Sequence, residues 1–288
     1  MSVLIVGLLL GGTYALMAMG LQLQYGVARV MNLAYGEVIV AGAFGTFWFF
    51  VGSKASPLLA ILGVVPLAFV LNWLVYRFLI RPLVRRAKSQ GQLDVDAILA
   101  TFGLSFVFIS VLLTVFGGEM LSYSYLARPF LIFGEPYALN RIVAFLGSAI
   151  LALFLYVWLH WTRAGLALRA VAVNPSAAEL VSINVERAAA MAFALGGAIS
   201  AAGGALLSMF LTFDASQGVI FTLKALVIVI LGGVSDMRGA IIASLIFGLT
   251  ETLVATFVDP GLTLAAAYAL FIIILLVRPE GLFGRRST

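Results

Sequence analysis

Nine stretches of the 288-residue chain are so continuously apolar that water cannot be their solvent: about 3–25, 37–52, 57–80, 97–117, 139–160, 188–212, 219–233, 239–257 and 261–277, each closed by charged residues or a Pro/Gly break. A helix needs about 20 apolar residues to cross a hydrocarbon core about 30 Å thick. Backbone N–H and C=O groups in lipid must be paired within the segment, which selects helices for such runs. Hydrophobic residues make up 63% of the chain and charged residues 10%, against about 25% charged in soluble domains. The expected fold is therefore all-α, a polytopic helical membrane protein with about 8–10 transmembrane or half-membrane helices in a single domain, 1–288. The runs at 37–52 and 219–233 are short for a crossing and adjoin Gly and polar residues, so both are candidates for half-helices.

Charge fixes the expected orientation, because Lys and Arg collect in cytoplasmic loops. With "RPLVRRAK" placed inside, thirteen of the seventeen basic residues share its side: Arg29, Arg77, Arg81, Arg85, Arg86, Lys88, Arg163, Arg169, Arg187, Arg238, Arg278, Arg285 and Arg286. Lys54, Arg128 and Arg141 then face outward, and Lys224 lies within a span. The N-terminus is expected outside and the C-terminus in the cytoplasm, with the start of the chain retained as the first span. The net charge of +5 is spread over short loops, with no continuous basic stripe for nucleic acid. Cysteine is absent, which excludes disulfides, thiol catalysis and thiolate metal sites. No catalytic constellation, metal site or cofactor motif is present, and no GxxxxGK[ST] loop marks a nucleotide site.

The longest inner segment, 161–187, breaks the greasy pattern with "RAVAVNPSAAELVSIN" (169–184). Asn174 followed by Pro175 is a helix start: Asn caps free N–H groups and Pro tolerates the first position. Ser176 with Glu179 offers a capping box instead. A short helix should follow through Ala178 and Glu179 towards Ile183, with Ala177, Leu180, Val181 and Asn184 on one side. Helices this short are marginal alone in water, so the segment wants a surface to pack on, in this chain or in another.

Two further sets stand out. Gly196, Ser200, Gly204 and Ser208 recur every four residues, a spacing that lets helix backbones approach in lipid. Static packing accounts for it, as does a gate; on the gate reading Gly204→Leu blocks transport before assembly. Gln22, Asn32, Glu37, Lys224 and Glu251 are polar groups at membrane depth, where they face protein or a water-filled path. Lys224 and Glu251 are expected to be able to pair. Glu37 also suits the first turn of a helix electrostatically.

In four ordered places the chain resembles the branched-chain amino acid permeases of binding-protein-dependent ABC importers, the LivH type. These are "NLAYGE" (32–37), the 169–184 segment, "LKALVIVILGGVSDMRGAIIASLIFGLTE" (223–251) and "RPEGLFG" (278–284). The family usually has His where Tyr35 stands and Gly where Ser182 stands, and urea and short-chain amide permeases share the signatures. The resemblance implies a permease subunit of the bacterial cytoplasmic (inner) membrane that moves branched-chain or related amino acids by alternating access. It implies no ATPase site of its own, and as partners a second permease of similar fold, two cytoplasmic ATP-binding subunits, an extracytoplasmic substrate-binding protein and membrane lipid. Asn174, Pro175, Ala178, Glu179 and Ile183 would form the ATPase-coupling loop. An ion-gradient-driven transporter and a scaffold without transport are the competing readings.

Overall fold

A computed structural model describes residues 2–132, 134–233, 236–278 and 281–283. Within the C-terminal "RPEGLFG", Pro279, Glu280 and Gly284 lie outside the described residues, as do Arg285 and Arg286 beyond it.

Among the described residues, eight helices are long and apolar enough to cross a membrane. They are α1 (Ser2–Ala28), α2 (Tyr35–Ser53), α3 (Pro57–Val75) continued through a π-turn (Tyr76–Ile80) into α4 (Arg81–Arg86), α5 (Gln90–Phe116), α6 (Leu139–Trp161), α9 (Val185–Leu207), α11 (Met237–Phe257), and α12 (Thr263–Val277) with the 3-10 turn Pro260–Leu262 before it. The remaining apolar run, 219–233, becomes α10 (Gly218–Gly232), whose 15 residues reach only about 22 Å at 1.5 Å per residue. The polytopic all-α reading holds. The strands among the described residues form one hairpin in the α5–α6 connection, β1 (Pro129–Ile132) and β2 (Glu135–Ala138), antiparallel with Pro129 opposite Ala138. The segment 161–187, read from the sequence as a loop with one short helix, carries two: α7 (Arg163–Val173) and α8 (Pro175–Leu180).

Small residues decide which helices are central. On α1, Gly7 and Gly11 lie against the backbone of α11 at Leu249, Ser244 and Leu245, and Gly248 of α11 lies against Gly11 in return. On α9, Gly196 meets Gln24 and the Gly20 carbonyl, Gly197 meets the Asn72 side chain, and Gly204 meets the Ile39 carbonyl. Thus α9 presents a different small residue to each of α1, α3 and α2. In its most apolar window 78% of residues are buried, against 6% in α12. With no hydrophobic drive between helices in lipid, close backbone approach supplies the packing, so the glycine-bearing helices take the middle. The Leu- and Ile-rich α12 is left at the rim.

Candidate functional site

At one end of the bundle α6, α7, α8 and α9 make an elbow. Thr162 caps α7 by accepting a hydrogen bond from the Gly165 N–H (3.0 Å). Gly165 sits so close to the Leu159 backbone that no side chain fits there. Arg169 Nε donates to the Leu159 carbonyl (3.0 Å), bracing α7 against the end of α6. Asn174 then caps α8, its Oδ1 accepting from the Ala177 N–H (3.1 Å), with Pro175 at the first helical position. The cap is Asn174 and not the Ser176 alternative.

The side that α8 buries is not the one that carries Ala177, Leu180, Val181 and Asn184. Ala178 is the buried residue, packed with Leu159, Leu168, Val171, Ala188 and Ala192, and Ile183 borders that cluster. Ala177, Leu180 and Val181 point away. The periodicity of six residues could not say which side met the bundle, because both sides carry apolar groups. Leu180 is 88% and Val173 83% exposed, with Val181 and Glu179 also exposed, so the elbow carries an apolar crest. After α8 the chain turns through Ser182 at φ 63°, and the Ile183 N–H returns to the Ala178 carbonyl (3.1 Å). Asn184 then caps α9, accepting from the Arg187 N–H (2.8 Å). Glu186, in the first turn of α9, pairs with Arg81 and with Arg85 (2.8 Å), tying the elbow to α4.

The deep polar groups divide sharply. Gln22 Nε2 donates to the Gly233 carbonyl (3.3 Å). Asn32 Nδ2 donates to Gln24 Oε1 (3.1 Å), Gln24 Nε2 donates to the Phe193 carbonyl (2.9 Å), and the Ala34 N–H donates back to Asn32 Oδ1 (3.1 Å). These bonds hold the α1–α2 connection against α9. Lys224 Nζ donates to Glu251 Oε1 (2.7 Å) and to the Tyr14 hydroxyl (2.9 Å), joining α10, α11 and α1. Tyr14 was not singled out in the sequence, where a tyrosine in an apolar run looks like ordinary packing.

Glu37 is different. It is fully buried, and neither carboxylate oxygen has a hydrogen-bond partner among the described residues. It lies in the first turn of α2, its carboxylate against Gly218 at the first residue of α10. Two helices therefore start face to face in the interior. The Gly36 N–H donates to Thr222 Oγ1 (2.8 Å), and the Leu33 N–H donates to Thr101 Oγ1 (3.0 Å), midway along α5. Of the two runs read as candidate half-helices, 37–52 becomes the span-length α2 and 219–233 alone stays short; Thr222 and Thr101, single hydroxyls inside apolar runs, were not singled out.

The small-residue stripe of α9 is enclosed. Ser200 Oγ donates to the Gly197 carbonyl (2.8 Å), and Ser208 Oγ lies 2.8 Å from the Tyr123 hydroxyl. At Gly204 there is no room for a side chain beside the Ile39 backbone. Gly204→Leu must therefore disturb assembly along with transport, because backbone cannot move aside as a flexible side chain can. No group of three His, Cys, Asp or Glu among the described residues is placed to hold a metal.

Residues 3–277 match the sequence family described as "Branched-chain amino acid transport system / permease component". The high-affinity branched-chain amino acid transport system permease protein LivH of Salmonella typhimurium is 30% identical over 97% of this chain and 94% of its own length. The corresponding protein BraD of Pseudomonas aeruginosa is 29% identical over 98% and 95%. A probable branched-chain amino acid transport permease protein LivH of Methanocaldococcus jannaschii is 27% identical over 93% and 88%.

Proposed function

The chain belongs to the branched-chain amino acid transport system permease family, and from that premise we propose that it is one half of the membrane conduit of an ABC importer. Its cargo would be branched-chain or related amino acids, handed over by an extracytoplasmic binding protein and moved by alternating access. Its partners would be a second permease of similar fold and two cytoplasmic ATPases. The chain is a multi-pass membrane protein; in this reading it lies in the cytoplasmic membrane with the N-terminus outside and the elbow inside.

The observation that carries the reading is the elbow. α8 is capped by Asn174 and seated by Ala178, yet leaves Leu180 and Val181 exposed. Exposed apolar groups on a braced, polar-flanked helix suit a cleft on another protein. Four residues, 181–184, separate α8 from α9, and α9 is in contact with α1, α2 and α3. A push on the elbow would thus reach the centre of the bundle through one rigid element, with Gly196, Ser200, Gly204 and Ser208 as its sliding or locking face. Glu37 would join the pathway only when α2 and α10 part.

Reconstitution tests this. Leucine uptake into vesicles should require ATP together with a second permease, two ATPase chains and a binding protein. Uptake by this chain alone under a sodium or proton gradient would instead make it a secondary transporter, and ATP-driven uptake of urea with none of leucine would reassign the cargo.

A further inference from the structure

At the end of the bundle opposite the elbow, a cleft of about 380 Å³ opens between α1, α6, α11, α12 and the turn after α9. That is the size of a small-molecule site, and such sites combine an apolar lining with a few placed polar groups. Arg141 is at its wall, in the first turn of α6, with Leu10 and Phe210 beside it and Glu251, Thr252 and Thr256 along α11. Arg141 makes no ion pair among the described residues; its guanidinium carbon lies 5.8 Å from the Phe210 ring centre. Glu251 Oε1 accepts from Lys224 Nζ, while its Oε2 has no hydrogen-bond partner among the described residues. The cleft therefore brings together a cation without an ion pair, Arg141, and one carboxylate oxygen without a hydrogen-bond partner, Glu251 Oε2, among the described residues.

We propose that this cleft is a transient binding site for a free amino acid with an apolar side chain. Arg141 takes the α-carboxylate, the Glu251 side orients the α-ammonium, and the side chain lies against Leu10 and Phe210. The proposal rests on the importer reading above and adds to it the chemistry by which the conduit itself would tell its cargo from an amine or a keto acid. Arg141 matches a carboxylate bidentately. A phospholipid headgroup would also engage Arg141, but Glu251 and the threonines on α11 give acyl chains a poor wall and suit a small zwitterion better.

The test uses the assembled importer in nanodiscs of phosphatidylcholine alone and with phosphatidylglycerol, with radiolabelled L-leucine as probe and leucinamide and 4-methyl-2-oxopentanoate as competitors. Saturable leucine binding is expected. Arg141→Gln should weaken it at least about tenfold, the scale of one charge-assisted contact, and Arg141→Lys should restore part of it. Leucinamide should compete poorly against the native protein, and the Arg141→Gln variant should no longer favour leucine over it. Because Glu251→Gln loosens the Lys224 contact and risks the fold, the keto acid probes the ammonium side without a mutation, and should bind weakly. Native leucine binding in Arg141→Gln, no saturable binding to the intact complex, or loss of a retained phospholipid in that variant with leucine unaffected would each overturn the proposal. Wild-type ATP-driven leucine uptake by the Arg141→Gln importer would remove the cleft and leave the importer reading standing; absence of such uptake in the native complex removes the reading itself.

Discussion

Ser182 and Glu37 both hold their places at an energetic cost. Ser182 has φ 63°, and the left-handed region costs a side-chain-bearing residue about 1–2 kcal/mol, whereas glycine there gives up about 0.5–1 kcal/mol in chain entropy. The first term wins, so Ser182→Gly should stabilise the purified chain by about 0.5–1 kcal/mol in thermal unfolding; a fall would mean that the turn is not as described. Glu37 is the second: a buried polar group without a partner costs about 1–3 kcal/mol and a charge more. Glu37→Met, which keeps length and removes the polar atoms, should raise stability while ATP-driven uptake falls. Unchanged uptake would make the carboxylate dispensable. Asn174 and Pro175 were readable as a helix start because capping is local chemistry. Glu37's isolation was not readable, since it depends on α10 arriving from 180 residues away.

At the level of elements, α8 and α9 divide the labour of contact and transmission. Leu180→Ser with Val181→Ser alters an exposed crest, and exposed substitutions usually stay within about 0.5 kcal/mol. Thermal stability should therefore hold while ATP-driven uptake drops several-fold; full uptake would show that nothing docks there. On α9, Gly204→Ala puts a Cβ against the Ile39 backbone, and overpacking of this kind costs about 1–3 kcal/mol. Gly103→Ala on α5, where the added Cβ meets nothing within 4 Å, should instead be neutral or stabilising by about 0.5–1 kcal/mol. Equal effects at the two glycines would refute the central placement of α9. The four-residue spacing showed that a packing face existed, but not that it is shared among three helices.

For the molecule as a whole, the proposed topology counts eight spans plus α10 with its preceding loop as an odd number of crossings, which would set the described ends of the chain on opposite sides. The chain contains no cysteine, so single cysteines report cleanly. Ser53→Cys, at the α2–α3 turn, should react with an impermeant thiol reagent from outside intact cells, and Ser89→Cys, before α5, only after permeabilisation; the reverse pattern would invert the proposed orientation. The sequence by itself determined the fold class, the approximate span boundaries and the start of the elbow helix, because lipid insertion, charge retention and capping act over one turn or one segment at a time. Only the tertiary structure decided that α9 is central and α12 peripheral, that Ala178 rather than Leu180 seats the elbow, that Lys224 is neutralised by Glu251 while Glu37 is left alone, and that Arg141 shares a cleft with Glu251. Each of these depends on which residues from distant segments meet, and an apolar helix in lipid looks much the same from every side until its neighbours choose one.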